Sequence, residues 1–172
     1  MKKKSQKIAL LGLCTAIAMV FAWVEAQLPP LYAAVPGIKL GLPNIAIIFI
    51  LYRMGLKEAA AVSFVRIVAV SLLFGNPMTF AYSVAGALLS LAVMTALKKL
   101  DFFSMVGVSV AGGVMHNVGQ ILMAIVLLGV AEIGYYLVVL AITGCLFGGA
   151  IGFLGALLAH RVPRLPFERD LP

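Results

Sequence analysis

The sequence predicts an all-α, polytopic membrane protein with six transmembrane helices, and three observations support this fold class. Of the 172 residues, 63% are apolar and only 11% are charged, whereas soluble domains carry about 25% charged residues. The apolar residues form six runs separated by Pro, Gly and charged turns. The basic residues gather at alternate ends of these runs. This composition excludes an ordinary soluble domain and a disordered chain.

We expect one membrane domain over residues 1–172, with helices at 8–28, 43–54, 57–74, 79–97, 102–128 and 133–159. A bilayer core of about 30 Å needs roughly 20 helical residues. Pro29 and Pro30 end the first helix, and an ordered loop rich in Pro and Gly follows. The second run is short, so it is either a complete span or a re-entrant segment. The polar tail, residues 160–172, is expected to be frayed.

The net charge of +7 is interpreted as a marker of membrane orientation and not of nucleic-acid binding. With six spans and a cytoplasmic N-terminus, the cytoplasmic segments hold eleven of the thirteen basic residues: Lys2, Lys3, Lys4, Lys7, Arg53, Lys57, Lys98, Lys99, Arg161, Arg164 and Arg169. The outer loops hold only Lys39, and Arg66 lies within a span. The positive-inside rule therefore places both termini in the cytoplasm.

Small residues recur at helical spacing on several helices. Because lipid provides no hydrophobic drive for helix association, such residues mark close packing. The sixth helix carries Gly144, Gly148 and Gly152. The first helix carries Ala9, Gly12 and Ala16, and further along it a second series, Ala18, Ala22 and Ala26. Each stripe packs either inside the bundle or against a partner protein, and our candidate docking residues are Ala9, Gly12, Ala16, Gly144, Gly148 and Gly152.

Two groups of polar residues at membrane depth are candidate ligand-binding residues, since ionisable groups there are costly and usually functional. Arg66 lies at the middle of the third helix, and it either pairs with Glu25 or holds an anionic or strongly polar ligand. His116, Asn117 and Gln120 lie on the fifth helix, where they either bond between helices or line a pocket. A candidate pocket open to the outside is completed, towards the outer side, by Glu25, Lys39, Asn44 and Asn76.

Several stretches resemble the Gx transporter family, whose members are often labelled heptaprenyl diphosphate synthase component I. The run VPGIKLGLPN, Val35–Asn44, resembles the family signature PGxKLGLxN. The runs Tyr52–Ala59, Val65–Arg66 and Gly113–Gln120 also look like stretches of that family. The chain is in addition similar to the substrate-binding (S) components of energy-coupling factor (ECF) transporters, and this resemblance implies an S-component-like bundle of six helices.

The resemblance also implies a location and partners. It implies a bacterial cytoplasmic membrane protein that works with a transmembrane coupling protein and two cytoplasmic ATPases, and that binds a small-molecule ligand from outside. In S components a small-residue stripe on the first helix docks the coupling protein, and Ala9, Gly12 and Ala16 occupy comparable positions. We expect no catalytic residues, cofactor or metal site and no nucleic-acid partner. The bilayer itself is the remaining partner.

Two alternatives stay open at this point. The first is a membrane subunit associated with heptaprenyl diphosphate synthesis. The usual Asp-rich motif that holds Mg²⁺ is absent, because Asp101 and Asp170 are the only aspartates. The second is a structural subunit of a membrane redox complex. The sequence also has no P-loop, so ATP hydrolysis would belong to a partner.

Overall fold

The structure, a computed structural model, describes residues 2–27 and 41–163. Within these residues it forms six α-helices and one 3₁₀ helix and has no β-strand. The elements are α1 (Lys2–Gln27), α2 (Asn44–Arg53), α3 (Leu56–Phe74), α4 (Pro77–Lys99), α5 (Met105–Leu128), the 3₁₀ helix Ala131–Tyr136 and α6 (Leu137–Arg161). The all-α fold class is thus confirmed, and the helices lie close to the predicted bounds.

Local sequence signals explain where several helices begin and end. Asn76 caps α4, because its side chain accepts a hydrogen bond from the Thr79 N–H (2.9 Å) and the Thr79 hydroxyl accepts one from the Asn76 N–H (3.0 Å). Pro77 follows at the first helical position, where no N–H is needed. The α5 helix ends at Gly129, whose φ of 68° is the left-handed conformation that glycine adopts without strain.

The short helix α2 forms the core of the bundle. Its residues Ile45 to Leu51 are all buried, and it packs against α1, α3, α5 and α6. A helix that is apolar on every side is stable only when other helices surround it. Of the remaining helices, α5 lies between α4 and α6 and has its largest interfaces with them.

In the described residues, four helices rather than the six expected have the length and apolar composition of a membrane span: α1, α4, α5, and α6 together with the 3₁₀ helix before it. The α2 helix has ten residues, which is a length of only about 15 Å. The α3 helix carries Lys57, Glu58 and Arg66. The six-helix prediction is therefore correct for the helix count and wrong for the number of helices that qualify as spans.

Three sets of contacts bring basic residues to one end of the bundle, which we call the basic end. The Lys7 ammonium group of α1 forms an ion pair with Glu58 of α3 (N···O 2.6 Å). Arg53 of α2 reaches the end of α6, and Lys98 of α4 donates to the Leu51 carbonyl at the end of α2 (2.7 Å). The α1 and α3 helices start at the basic end, and the α2, α4 and α6 helices finish there.

Candidate polar ligand site

Arg66 is buried in the bundle beside an acidic group from α1. Its side chain is 7% exposed, and the Glu25 carboxylate acts on it electrostatically. One oxygen of Glu25, Oε1, also accepts a hydrogen bond from the Gly41 N–H (2.6 Å). Glu58, the other acidic residue near Arg66 in the sequence, is bound to Lys7 instead. The Glu25 carboxylate is therefore the group that balances the positive charge of Arg66.

The guanidinium of Arg66 still offers one edge for a further partner. Among the described residues, its Nε and Nη2 atoms have no hydrogen-bond partner. These two N–H groups point in parallel, and together they match the two oxygens of a carboxylate or phosphate. A buried donor without a partner costs about 1–3 kcal/mol. Such an edge is consistent with a ligand-binding role.

A second polar group surrounds a small cavity between α2, α4, α5 and α6. Asn44, Ser90, Ser109 and His116 line this cavity, whose volume is about 10 Å³. That is close to the space that one water molecule needs. The His116 ring lies against Gly86, where an added Cβ would come within 2.9 Å of the ring. The glycine on α4 is therefore what makes room for the histidine.

The turn between residues 41 and 44 connects the two polar groups. Gly41 donates to Glu25 on one side, and its carbonyl accepts a hydrogen bond from the Asn44 N–H (2.8 Å) at the start of α2. Asn44 in turn lines the cavity beside His116. The φ of +86° at Gly41 is a conformation that L side chains rarely adopt. The glycine of the predicted signature thus places this turn between α1 and α5.

Gln120 lies one helical turn beyond His116 on α5. It is 0% exposed, and neither amide atom has a hydrogen-bond partner among the described residues. Its buried amide without a partner is consistent with a ligand-binding role. The α3 helix, which carries Arg66, packs against α2 and α4, and these two helices in turn pack against α5.

Two residues predicted to bind a ligand have structural roles. The Asn117 side chain donates to the Leu140 carbonyl of α6 (2.7 Å), which is the interhelical alternative considered from the sequence. Asn76 is exposed, and its side chain caps α4. Lys39, another predicted ligand contact, lies outside the described residues. The residues that remain as candidates in the described chain are Glu25, Asn44, Arg66, His116 and Gln120.

The family model for heptaprenyl diphosphate synthase component I matches residues 14–158. The chain belongs to this family. The match includes Glu25, Asn44, Arg66, His116 and Gln120, so both polar groups lie within the family region. No curated protein and no solved structure shows a significant match to the chain.

The glycine stripe of this family member packs inside the chain. A Cβ added at Gly148 would lie 2.8 Å from the Ser109 carbonyl, and one at Gly144 or Gly152 would lie within 3.0 Å of α5 atoms. Our prediction that Gly144, Gly148 and Gly152 dock a partner is therefore corrected, because α5 covers that face. Small residues there let the α5 and α6 backbones approach closely.

The two small-residue series on α1 lie on different faces. Ala18 and Ala22 are buried in the bundle. Ala9, Gly12 and Ala16 are exposed, and no atom of a neighbouring described residue lies within 4 Å of the position that a Cβ would take at Gly12. Of the two series, Ala9, Gly12 and Ala16 form the face that is open in this chain.

Arg53 has a role that sequence reasoning missed, because it was counted only as a mark of orientation. Its guanidinium donates to the carbonyls of Ala159 (2.8 Å), Val162 (3.0 Å) and Pro163 (2.9 Å) and lies over the Phe49 ring. A positive charge stabilises the end of a helix, where carbonyl groups have no helical partner. The feature of the sequence that could have indicated this role is a basic residue at the end of an otherwise apolar helix.

Proposed function

We propose that this chain is the substrate-binding membrane subunit of an ECF-type uptake transporter, and that it captures a small polar or anionic solute. The observation that carries the proposal is the open edge of Arg66. Its Nε and Nη2 groups are buried and have no partner among the described residues. In a membrane protein such a group is costly unless a ligand or water meets it.

The geometry around Arg66 supports an anionic or strongly polar group as the bound part of the solute. Glu25 balances the charge of Arg66 and is itself held by the Gly41 N–H. The Glu25 carboxylate is thereby held in place before a ligand arrives, so its position does not have to be fixed on binding. Asn44, His116 and Gln120 then add further polar groups from α2 and α5.

The distribution of charge supports capture from outside. Lys7, Arg53 and Lys98 lie at the basic end, which the positive-inside rule assigns to the cytoplasm. Glu25 lies at the opposite end of α1, two residues before Gln27, where the helix ends. The polar ligand site would therefore face the outer half of the membrane.

The first helix supports the partner proposal. Ala9, Gly12 and Ala16 form an open face of small residues near the basic end, on which a helix of a coupling protein can pack closely. Two cytoplasmic ATPases bound to that coupling protein would supply the energy. The chain itself would contribute binding and no hydrolysis.

The ligand proposal is tested by identifying small molecules that copurify with the protein by mass spectrometry. Arg66→Gln removes the charge and the paired donors, and Arg66→Lys keeps the charge alone. We expect both variants to retain at least tenfold less solute than the wild type. Lys57→Gln, which removes an exposed positive charge from the same helix, is the matched control. A folded Arg66→Gln protein that retains the same solute in the same amount overturns the site.

The partner proposal is tested by coexpression with a coupling protein and its ATPases. Gly12→Leu places a bulky side chain on the open face of α1 and should abolish copurification. Ala92→Leu makes a similar change on an exposed position of α4 and should leave it intact. Equal copurification of both variants would contradict docking through α1.

The family description favours a second candidate, a membrane subunit of prenyl diphosphate synthesis. This candidate predicts that the chain, together with a partner subunit, elongates allylic diphosphates. The sequence has no Asp-rich motif for Mg²⁺, so the partner would have to supply the metal site. Elongation that requires this chain would favour the synthase role over uptake.

A further inference from the structure

A long apolar groove runs along the outside of the bundle between α1 and α6, with α2 as its floor. Its volume is about 460 Å³, and every described residue that lines it is apolar. Leu13 and Ile17 form one wall, Leu157 and Leu158 form the other, and Phe49 lies in the floor. We call this feature the α1–α6 groove.

The groove exists because α2 is much shorter than its neighbours. The α1 and α6 helices have 26 and 25 residues, and α2 has ten. Both long helices pack against α2, but they share no substantial interface with each other among the described residues. A gap therefore remains in the wall of the bundle above α2.

The chemistry of the walls favours a hydrocarbon chain as the occupant. Leu13, Leu157 and Leu158 are each more than 40% exposed, and in a membrane-embedded protein such a surface meets lipid. An empty apolar gap loses dispersion contacts on one side. A flexible acyl chain fits a gap of this shape and restores those contacts, whereas water finds no hydrogen-bond partner on such walls.

One end of the groove is positively charged. Val162 lines the groove, and its carbonyl accepts a hydrogen bond from Arg53 (3.0 Å). Phe49, in the floor, lies under the same guanidinium at 5.5 Å. Arg161, the last residue of α6, is exposed next to Val162. An anionic headgroup at this end would meet two positive charges, one of them open to solvent.

We propose that the α1–α6 groove binds one acyl chain of an anionic phospholipid, with the headgroup phosphate at Arg161, next to Val162 at the end of the groove. The apolar walls hold the chain, and the charges select the headgroup. This site is separate from Arg66 and does not depend on the uptake function.

The test uses native mass spectrometry of the delipidated, detergent-purified protein. Phosphatidylglycerol and phosphatidylcholine with identical acyl chains are added separately. The wild type should bind phosphatidylglycerol more tightly. Arg161→Gln should lower that preference about fivefold, because one basic group near the headgroup contributes on this scale. Lys99→Gln, an exposed basic residue on α4, should leave the preference unchanged.

The groove itself is tested by filling it. Leu157→Trp should remove the bound phosphatidylglycerol, and Leu13→Trp on the facing wall should do the same if the first variant does not fold. Leu146→Trp adds the same bulk to α6 outside the groove and is the control. Phosphatidylglycerol binding that is equal in folded Leu157→Trp and wild-type protein overturns the proposal. Displacement of the lipid by equimolar farnesyl diphosphate also overturns it, since the occupant would then be an isoprenoid diphosphate.

Discussion

Replacement of Gly148 by alanine should weaken the α5–α6 interface. The new Cβ would lie 2.8 Å from the Ser109 carbonyl oxygen and 2.9 Å from the Val110 Cα. Both are backbone atoms, so no side chain can rotate away. To reach the 3.4 Å of ordinary contact, α6 would have to move from α5 by about 0.6 Å.

The cost follows from how tightly this interface is packed. Adding a methyl group to a close-packed contact costs about 1–3 kcal/mol when the backbone must shift. Gly113 approaches α6 equally closely, since a Cβ there would lie 2.6 Å from the Gly144 carbonyl oxygen. Movement at Gly148 therefore also loosens that contact. We expect the free energy of unfolding to fall by about 2 kcal/mol, which is roughly a 30-fold change in the folded-to-unfolded ratio.

The assay is reversible unfolding in mixed detergent, followed by helical circular dichroism. Gly12→Ala is the matched control, because in the described part of the chain no neighbouring atom lies within 4 Å of the new Cβ. It should change the free energy of unfolding by less than about 0.5 kcal/mol. If Gly148→Ala and Gly12→Ala unfold at the same midpoint, the close approach of α5 and α6 does not stabilise this protein.

Three further predictions use the same unfolding assay. Arg53→Met removes three hydrogen bonds to the end of α6 and should cost about 3 kcal/mol; a cost below about 0.5 kcal/mol would show that water replaces the guanidinium. Asn117→Leu removes the hydrogen bond to the Leu140 carbonyl and should lower the free energy of unfolding by about 1 kcal/mol. Any copurified solute should stay bound; its loss would show that Asn117 belongs to the ligand site. Lys7→Gln breaks a partly exposed ion pair with Glu58 and should lower the free energy of unfolding by about 0.5 kcal/mol at low salt. If the same loss of stability persists in high salt, the ion pair is not its cause.

Much of the candidate site could be predicted from the cost of burying polar groups. Glu25, Arg66, His116 and Gln120 stand out in apolar runs, and the structure buries all four. The sequence did not separate these residues from Asn117, which is also buried but is used between helices. Spacing along one helix shows which residues share a face. It does not show which carbonyl of another helix that face will meet.

The small-residue stripes also separate what sequence spacing shows from what the tertiary structure decides. Glycine and alanine at four-residue spacing predicted close packing on α1 and on α6, and spacing alone did not distinguish the two. The tertiary structure covers Gly148 with α5 and leaves Gly12 open. Which stripe is covered depends on the order and tilt of the helices, and those depend on the shape of the whole bundle.

The sequence by itself determined that this protein is helical and apolar, roughly which segments form its helices, and which end is basic. These properties follow from composition, caps and charge, which act over one helical turn or less. Only the tertiary structure decided that α2 is the buried core, that Arg53 holds the end of α6 and that a groove separates α1 from α6. Each of these depends on helices that are distant in the chain, and the short length of α2 decides how they meet.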